Sequence, residues 1–160
     1  MQRRDFLRHL LACRPYYAFH TVDANFTGTN PNLFENNIIY STVPYMTQTT
    51  SDFTLDNNIY FTTGATPDWS FNGTDYTSLA SYQSASGQDA QSLFTDPMLY
   101  NPMYDDVGRP VSAFTLLPGS PAIGSGANVC AGVSGCSMGT QDFWGNPLPT
   151  NSGYNIGAWQ

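Results

Sequence analysis

Residues 35–40 read ENNIIY and residues 56–61 read DNNIYF. Each hexapeptide is an acid, two asparagines, an isoleucine and then β-forming residues. They lie 21 residues apart, in the range of one turn of a repeat architecture. Asparagine tolerates the left-handed backbone conformation that a sharp corner needs. Stacked corner on corner, the repeat puts Asn36 over Asn57 and Asn37 over Asn58. Their amides could then hydrogen-bond along the stack. Ile38 and Ile59 would lie one above the other in the core. The other reading is two unrelated hairpin strands with asparagine in their turns.

The surrounding chain extends the pattern. Residues 43–55, VPYMTQTTSDFTL, have strand-like content and a proline break. Residues 62–76, TTGATPDWSFNGTDY, are turn-rich and aromatic. Residues 77–87, TSLASYQSASG, predict a short helix near 77–86. Thr77 or Ser78 can cap its start, Leu79, Tyr82 and Gln83 form its inner face, and Gly87 suits the position just past its end. The expected core strands carry Ile38, Tyr40, Phe53, Leu55, Ile59, Phe61 and Ile123.

Three later stretches carry a resemblance. Residues 87–102 read GQDAQSLFTDPMLYNP, residues 114–126 read FTLLPGSPAIGSG, and residues 142–160 read DFWGNPLPTNSGYNIGAWQ. Together they resemble the closing part of bacterial right-handed parallel β-helix proteins, the pectate-lyase-like solenoids. Those proteins often end in a PGSPAI turn, then GNP, then IGA and an aromatic. The likeness spans roughly residues 33–160. It implies an all-β fold: the terminal coils of a right-handed parallel β-helix with one short helix. Residues 16–113 would form the coils and 114–160 a loop-rich closing segment. It also implies a secreted bacterial protein, extracellular or periplasmic, that is carbohydrate-active and of polysaccharide lyase or glycoside hydrolase type. The catalytic centre would lie outside this segment. A non-catalytic glycan-binding or surface module, and a truncated gene fragment, stay open beside that reading.

Composition narrows the partners. Of the 160 residues, 41% are hydrophobic, enough to build a core, and only 11% are charged. There is no lysine, and the arginines are Arg3, Arg4, Arg8, Arg14 and Arg109. From residue 15 onward one basic residue faces eleven acids. Such a surface repels phosphate backbones, which argues against nucleic acid. It also repels polyuronates unless Ca²⁺ bridges the two, so a neutral glycan is favoured. No apolar run reaches the ~20 residues of a membrane span.

The first fifteen residues, MQRRDFLRHLLACRP, admit three readings. One is an amphipathic helix covering the open end of the coils, with Phe6, Leu7, Leu10 and Leu11 on one side. The second is a leader, since Arg3, Arg4, Phe6 and Leu7 resemble a twin-arginine motif and LLAC a lipoprotein box; Arg8 and His9 interrupt the apolar stretch it needs. The third is that Met1 is an internal start of a longer chain.

Several residues are candidates for chemistry. Asp105 and Asp106 form an adjacent pair that could hold Ca²⁺ or belong to an acid/base set. Their plain alternative is a solvated loop. Arg109 is the sole basic residue of the body, too little for a lyase site. Residues 135–139, GCSMG, match a nucleophile elbow by chance, since no histidine follows His20. Trp69, with Asp68 and Tyr76, could form a sugar-stacking platform, the ring taking a pyranose face and the acid reading hydroxyls. Trp144 and Trp159 are weaker versions of the same idea. Cys130 and Cys136 flank a short loop with no histidine nearby, and a local disulfide is expected there. It would imply an oxidising compartment. No cofactor is required by any motif; Ca²⁺ alone is a candidate.

Overall fold

A computed structural model of the chain describes residues 19–20, 32–64, 66–102, 111–150 and 153–157. Strands dominate: β1 (Phe19–His20), β2 (Asn32–Glu35), β3 (Ile38–Ser41), β4 (Tyr45–Thr49), β5 (Phe53–Asp56), β6 (Ile59–Thr62), β7 (Asp68–Phe71), β8 (Thr74–Tyr76) and β9 (Leu93–Phe94). Among the described residues there is one α-helix, α1 (Leu79–Ser86), and a 3-10 turn at Val111–Phe114. The fold is all-β.

The strands form three sheets, ordered β1-β4-β7-β8, β2-β5 and β3-β6-β9. The triplet β2, β3, β4 is matched strand for strand, and in parallel, by β5, β6, β7. Asn32 pairs with Phe53 and Ile38 with Ile59, so the two asparagine hexapeptides lie in register. Asn36 and Asn57 turn the corners, with φ of 60° and 51°. Asparagine is enriched there because its short polar side chain softens the steric cost of the left-handed region. In the β4–β7 pair the register shifts between Tyr45 and Thr47.

Strands β3 and β6 are buried on both faces, while β9 at the edge of their sheet is exposed. Successive side chains of a strand point to opposite sides. Ile39 and Tyr60 join Met46, Trp69, Leu79 and Tyr82 in one core. Ile38 and Ile59 point the other way and join Leu99, Leu116, Ala122 and Ile156 in a second. Ile38 does lie on Ile59 in register, but in the core made with the closing segment. Tyr40 packs against that second core, and Phe53 and Leu55 are buried, while Phe61 is half-buried. Ile123 corrects an expectation: it is 49% exposed, and its neighbour Ala122 is the buried residue. The turn over 121–124 turns Ala122 inward, and the Ala122 carbonyl accepts from the Ile156 N–H at 2.9 Å.

Helix α1 starts at Ser78, whose hydroxyl accepts from the Ser81 N–H at 3.2 Å. It ends at Gly87 in the left-handed region, with φ of 69°. Leu79 and Tyr82 are its buried face. The residues after it are mostly turns, tied by short pairings such as Leu99 with Leu116 and Gly126 with Tyr154.

Candidate functional site

The asparagine corners build a chain of hydrogen bonds that runs into a buried acid. The Asn37 backbone N–H and Nδ2 both donate to Asn58 Oδ1, at 3.0 and 3.1 Å. Asn58 Nδ2 donates to Asp89 Oδ1 at 3.0 Å and to the Phe34 carbonyl at 2.9 Å. The Asn58 N–H donates to Ser92 Oγ at 2.8 Å, and that hydroxyl donates onward to Asp89 Oδ1 at 2.5 Å. The Tyr60 hydroxyl donates to Asp89 Oδ2 at 2.9 Å. Asp89 itself is fully buried.

The GQD triplet is what delivers this acid. Gly87 closes α1. Gln88 Oε1 accepts from the Leu55 N–H at 2.8 Å, and the Asp89 N–H donates to the Leu55 carbonyl at 2.7 Å. Two residues on, the Gln91 N–H donates to Asp56 Oδ1 at 2.6 Å. Residues 88–91 thus lie along the outer edge of β5, where the next strand of that sheet would otherwise pair.

Burial pushes the Asp89 carboxyl up to about 6, against the three side-chain hydrogen bonds that favour its ionised form. The Tyr60 phenol is pushed well above its ordinary range, first by burial and then by the Asp89 charge. Burial raises Tyr82 to about 12 even though its hydroxyl shares a hydrogen bond with Thr49 Oγ1 at 3.1 Å. This cluster is enclosed and its oxygens are occupied. It can exchange a proton, but it offers no face to a substrate.

The sugar platform expected around Trp69 requires correction. Trp69 is a strand residue of β7 with no exposed surface, and its ring meets Tyr60, Tyr82 and Phe94 at centroid distances of 5.7, 6.5 and 5.5 Å. A ring packed on this many sides cannot stack on a glycan. Tyr76 is half-buried against Tyr82. Asp68 is half-buried with Oδ1 unpartnered among the described residues. Burial raises its carboxyl, with Asp75 adding to the shift. Thr47 Oγ1 and Trp69 Nε1, on register partners beside the β4 irregularity, are likewise buried without a hydrogen-bond partner of good geometry among the described residues. Such groups cost roughly 1–3 kcal/mol each, a local penalty at the point where the regular register breaks.

Asp105, Asp106, Arg109 and Trp159, with the leader-like residues 1–15, lie outside the described residues. Among the described residues no group of three or more His, Cys, Asp or Glu converges as a metal site. Cys130 and Cys136 are joined, with an S–S distance of 2.03 Å. In GCSMG, Ser137 Oγ accepts from the Gly139 N–H at 3.2 Å, so that serine serves a turn. Ser120 is buried, donates to the Pro97 carbonyl at 2.6 Å and accepts from the Ala122 N–H at 3.1 Å. Trp144 is half-buried, while Phe143 and Tyr100 stand out at 69% and 66% exposure.

No family model, curated protein or solved structure matches the chain. No described helix is long and apolar enough to cross a membrane. Sequence reasoning missed Asp89, Tyr100 and Phe143. For Asp89 a signal existed, since an acid two residues after a helix-closing glycine sits near the negative end of that helix and needs donors from elsewhere.

Proposed function

We propose that this chain forms terminal coils of a right-handed parallel β-helix, a solenoid, in a secreted bacterial carbohydrate-active protein of lyase or hydrolase type. The observation that carries the reading is the in-register parallel pairing of the two strand triplets, with asparagine stacked on asparagine at the corner. The resemblance of residues 87–102, 114–126 and 142–160 to closing segments of such proteins supplies the substrate class, as an analogy. A Cys130–Cys136 bridge suits an oxidising compartment, hence export.

The ligand we favour is a neutral glycan. The described residues contain neither lysine nor arginine, so a polyuronate would meet only acids unless Ca²⁺ intervened. Chemistry would reside in further coils rather than at the enclosed Asp89 cluster. A purely binding role is the second reading, favoured by the exposed rings of Tyr100 and Phe143.

The test is incubation of the folded protein with neutral and uronic polysaccharides, with and without Ca²⁺. New reducing ends and the ultraviolet absorbance of unsaturated uronates are followed, and retention on the same polymers is measured. Retention on neutral glycans without cleavage is expected. Cleavage would place a working site in this chain and overturn the placement of the chemistry. Neither cleavage nor retention on any polymer would sink the carbohydrate reading.

A further inference from the structure

Asp89 is a buried acid with no lysine or arginine among the described residues to offset it. Its neighbours are Asp56 from β5, Tyr60 from β6 and Tyr82 from α1, all of which can only be neutral or negative. It follows the C-terminal end of α1, the negative end of the helix dipole. Three donors hold it: Ser92 Oγ, Asn58 Nδ2 and Tyr60 Oη. Residues 87–95 depend on this point. Their backbone is fastened to β5 and β6 by Asp89 N–H to Leu55 carbonyl (2.7 Å), Leu93 N–H to Asn58 carbonyl (2.8 Å) and Thr95 N–H to Tyr60 carbonyl (3.0 Å).

We propose that Asp89 is a pH-sensitive latch: its neutral carboxyl locks residues 87–95 onto β5 and β6, and its ionisation loosens them. The geometry accommodates both states. The neutral carboxyl can donate to Tyr60 Oη across the same 2.9 Å, with Oδ1 still accepting from Asn58 and Ser92. The ionised carboxylate keeps three donors but carries an unpaired charge in the interior. Burial lifts the group from its ordinary 3.8 to about 6 in the fold. A raised acid stabilises the fold fully below its unfolded value, and that stabilisation is lost as pH rises through the folded value. The folding equilibrium therefore weakens by roughly a hundredfold between about pH 4 and pH 7 on account of this group.

The test compares wild type with Asp89→Asn from pH 4 to 8. An amide can accept from Asn58 and Ser92 and donate to Tyr60 Oη, so the variant keeps the network without the charge. In wild type the thermal midpoint should fall by roughly 5–10 °C between pH 4.5 and 7.5, and Asp89→Asn should lose that component. Other titrating groups, Glu35 included, act in both proteins and cancel in the difference. Amide exchange, corrected for its intrinsic pH dependence, should show Asp89, Leu93 and Thr95 opening first in wild type at high pH. Equal pH slopes in the two proteins would overturn the latch. Should the variant not fold, carbon-13 titration of the Asp89 carboxyl in wild type decides: a midpoint near 6 supports the proposal, and one below 4 overturns it.

Discussion

The strand triplets and the closing segment bury the same sheet from opposite faces, and they do so by different means. On one side, β4 and β7 bring Met46 and Trp69 against Ile39 and Tyr60 through a parallel ladder whose register shifts once, between Tyr45 and Thr47. On the other, Leu116, Ala122 and Ile156 reach Ile38 and Ile59 from turns, at places where the chain approaches closely. A Cβ on Gly126 would sit 2.6 Å from the Asn155 carbonyl oxygen, and one on Gly157 would sit 2.9 Å from Ile38 Cδ1. The first face tolerates irregularity because backbone pairing carries it. The second has little pairing and relies on shape.

The largest effect should come from the first face. Trp69→Ala removes a ring with no exposed surface from the centre of the aromatic cluster. The expected loss is about 3–5 kcal/mol, read as a fall in the urea midpoint. A loss under about 1 kcal/mol would mean that the strand triplets are not packed around this residue.

Gly126→Ala attacks the second face. The added methyl meets backbone at Asn155 rather than a movable side chain, so the closing segment must shift. About 1–3 kcal/mol is expected. The effect should also be local: the Gly126 N–H to Tyr154 carbonyl bond (2.7 Å) and the Ile156 N–H bond lose exchange protection, while Asn37 and Ile59 keep theirs. Uniform loss everywhere would show that the two faces unfold as one unit and erase the contrast between them.

The same contrast explains what could be read from the chain. The triplets were legible because a repeat restates itself: the DNN at 56–58 predicts the environment of the NN at 36–37. The interior side was not legible. Ile38 and Ile39 are both apolar, and only the closing segment, folding back along the sheet, turns the outer isoleucine into core. Trp69 sits among turn signals, with Pro67 before it and Gly73 after it, yet it is a strand residue. The Asn72–Gly73 pair is in fact a hairpin turn, with φ of 50° and 79°, and it pairs Trp69 with Tyr76 across the hairpin. In the closing segment the motifs were visible but their physical roles were not. Asp142, for instance, accepts the Trp144 and Asn146 N–H groups at 2.8 Å each and so makes the turn that holds Phe143 outward.

A smaller effect is expected from opening the Cys130–Cys136 bridge. It spans six residues, so chain entropy assigns it about 2 kcal/mol. Reduction should loosen the turns around 128–139 and leave the pairing of β3 with β6 intact. Loss of strand signal by circular dichroism on reduction would tie the loop to the ladder, contrary to the division drawn here.

The smallest effect on stability separates packing from binding. Phe143→Ala and Tyr100→Ala remove rings that are mostly in solvent, and each should change stability by less than about 0.5 kcal/mol. If the protein holds neutral glycans through these rings, the double variant should be retained about tenfold more weakly, a difference of about 1.4 kcal/mol in binding. Trp69→Phe, kept apolar and buried, should leave retention unchanged wherever the protein stays folded. The opposite pattern, with retention lost in Trp69→Phe and kept in the double variant, would return the binding surface to the β7–β8 hairpin. It would also require that hairpin to open, since nothing else could bring the Trp69 ring to a sugar.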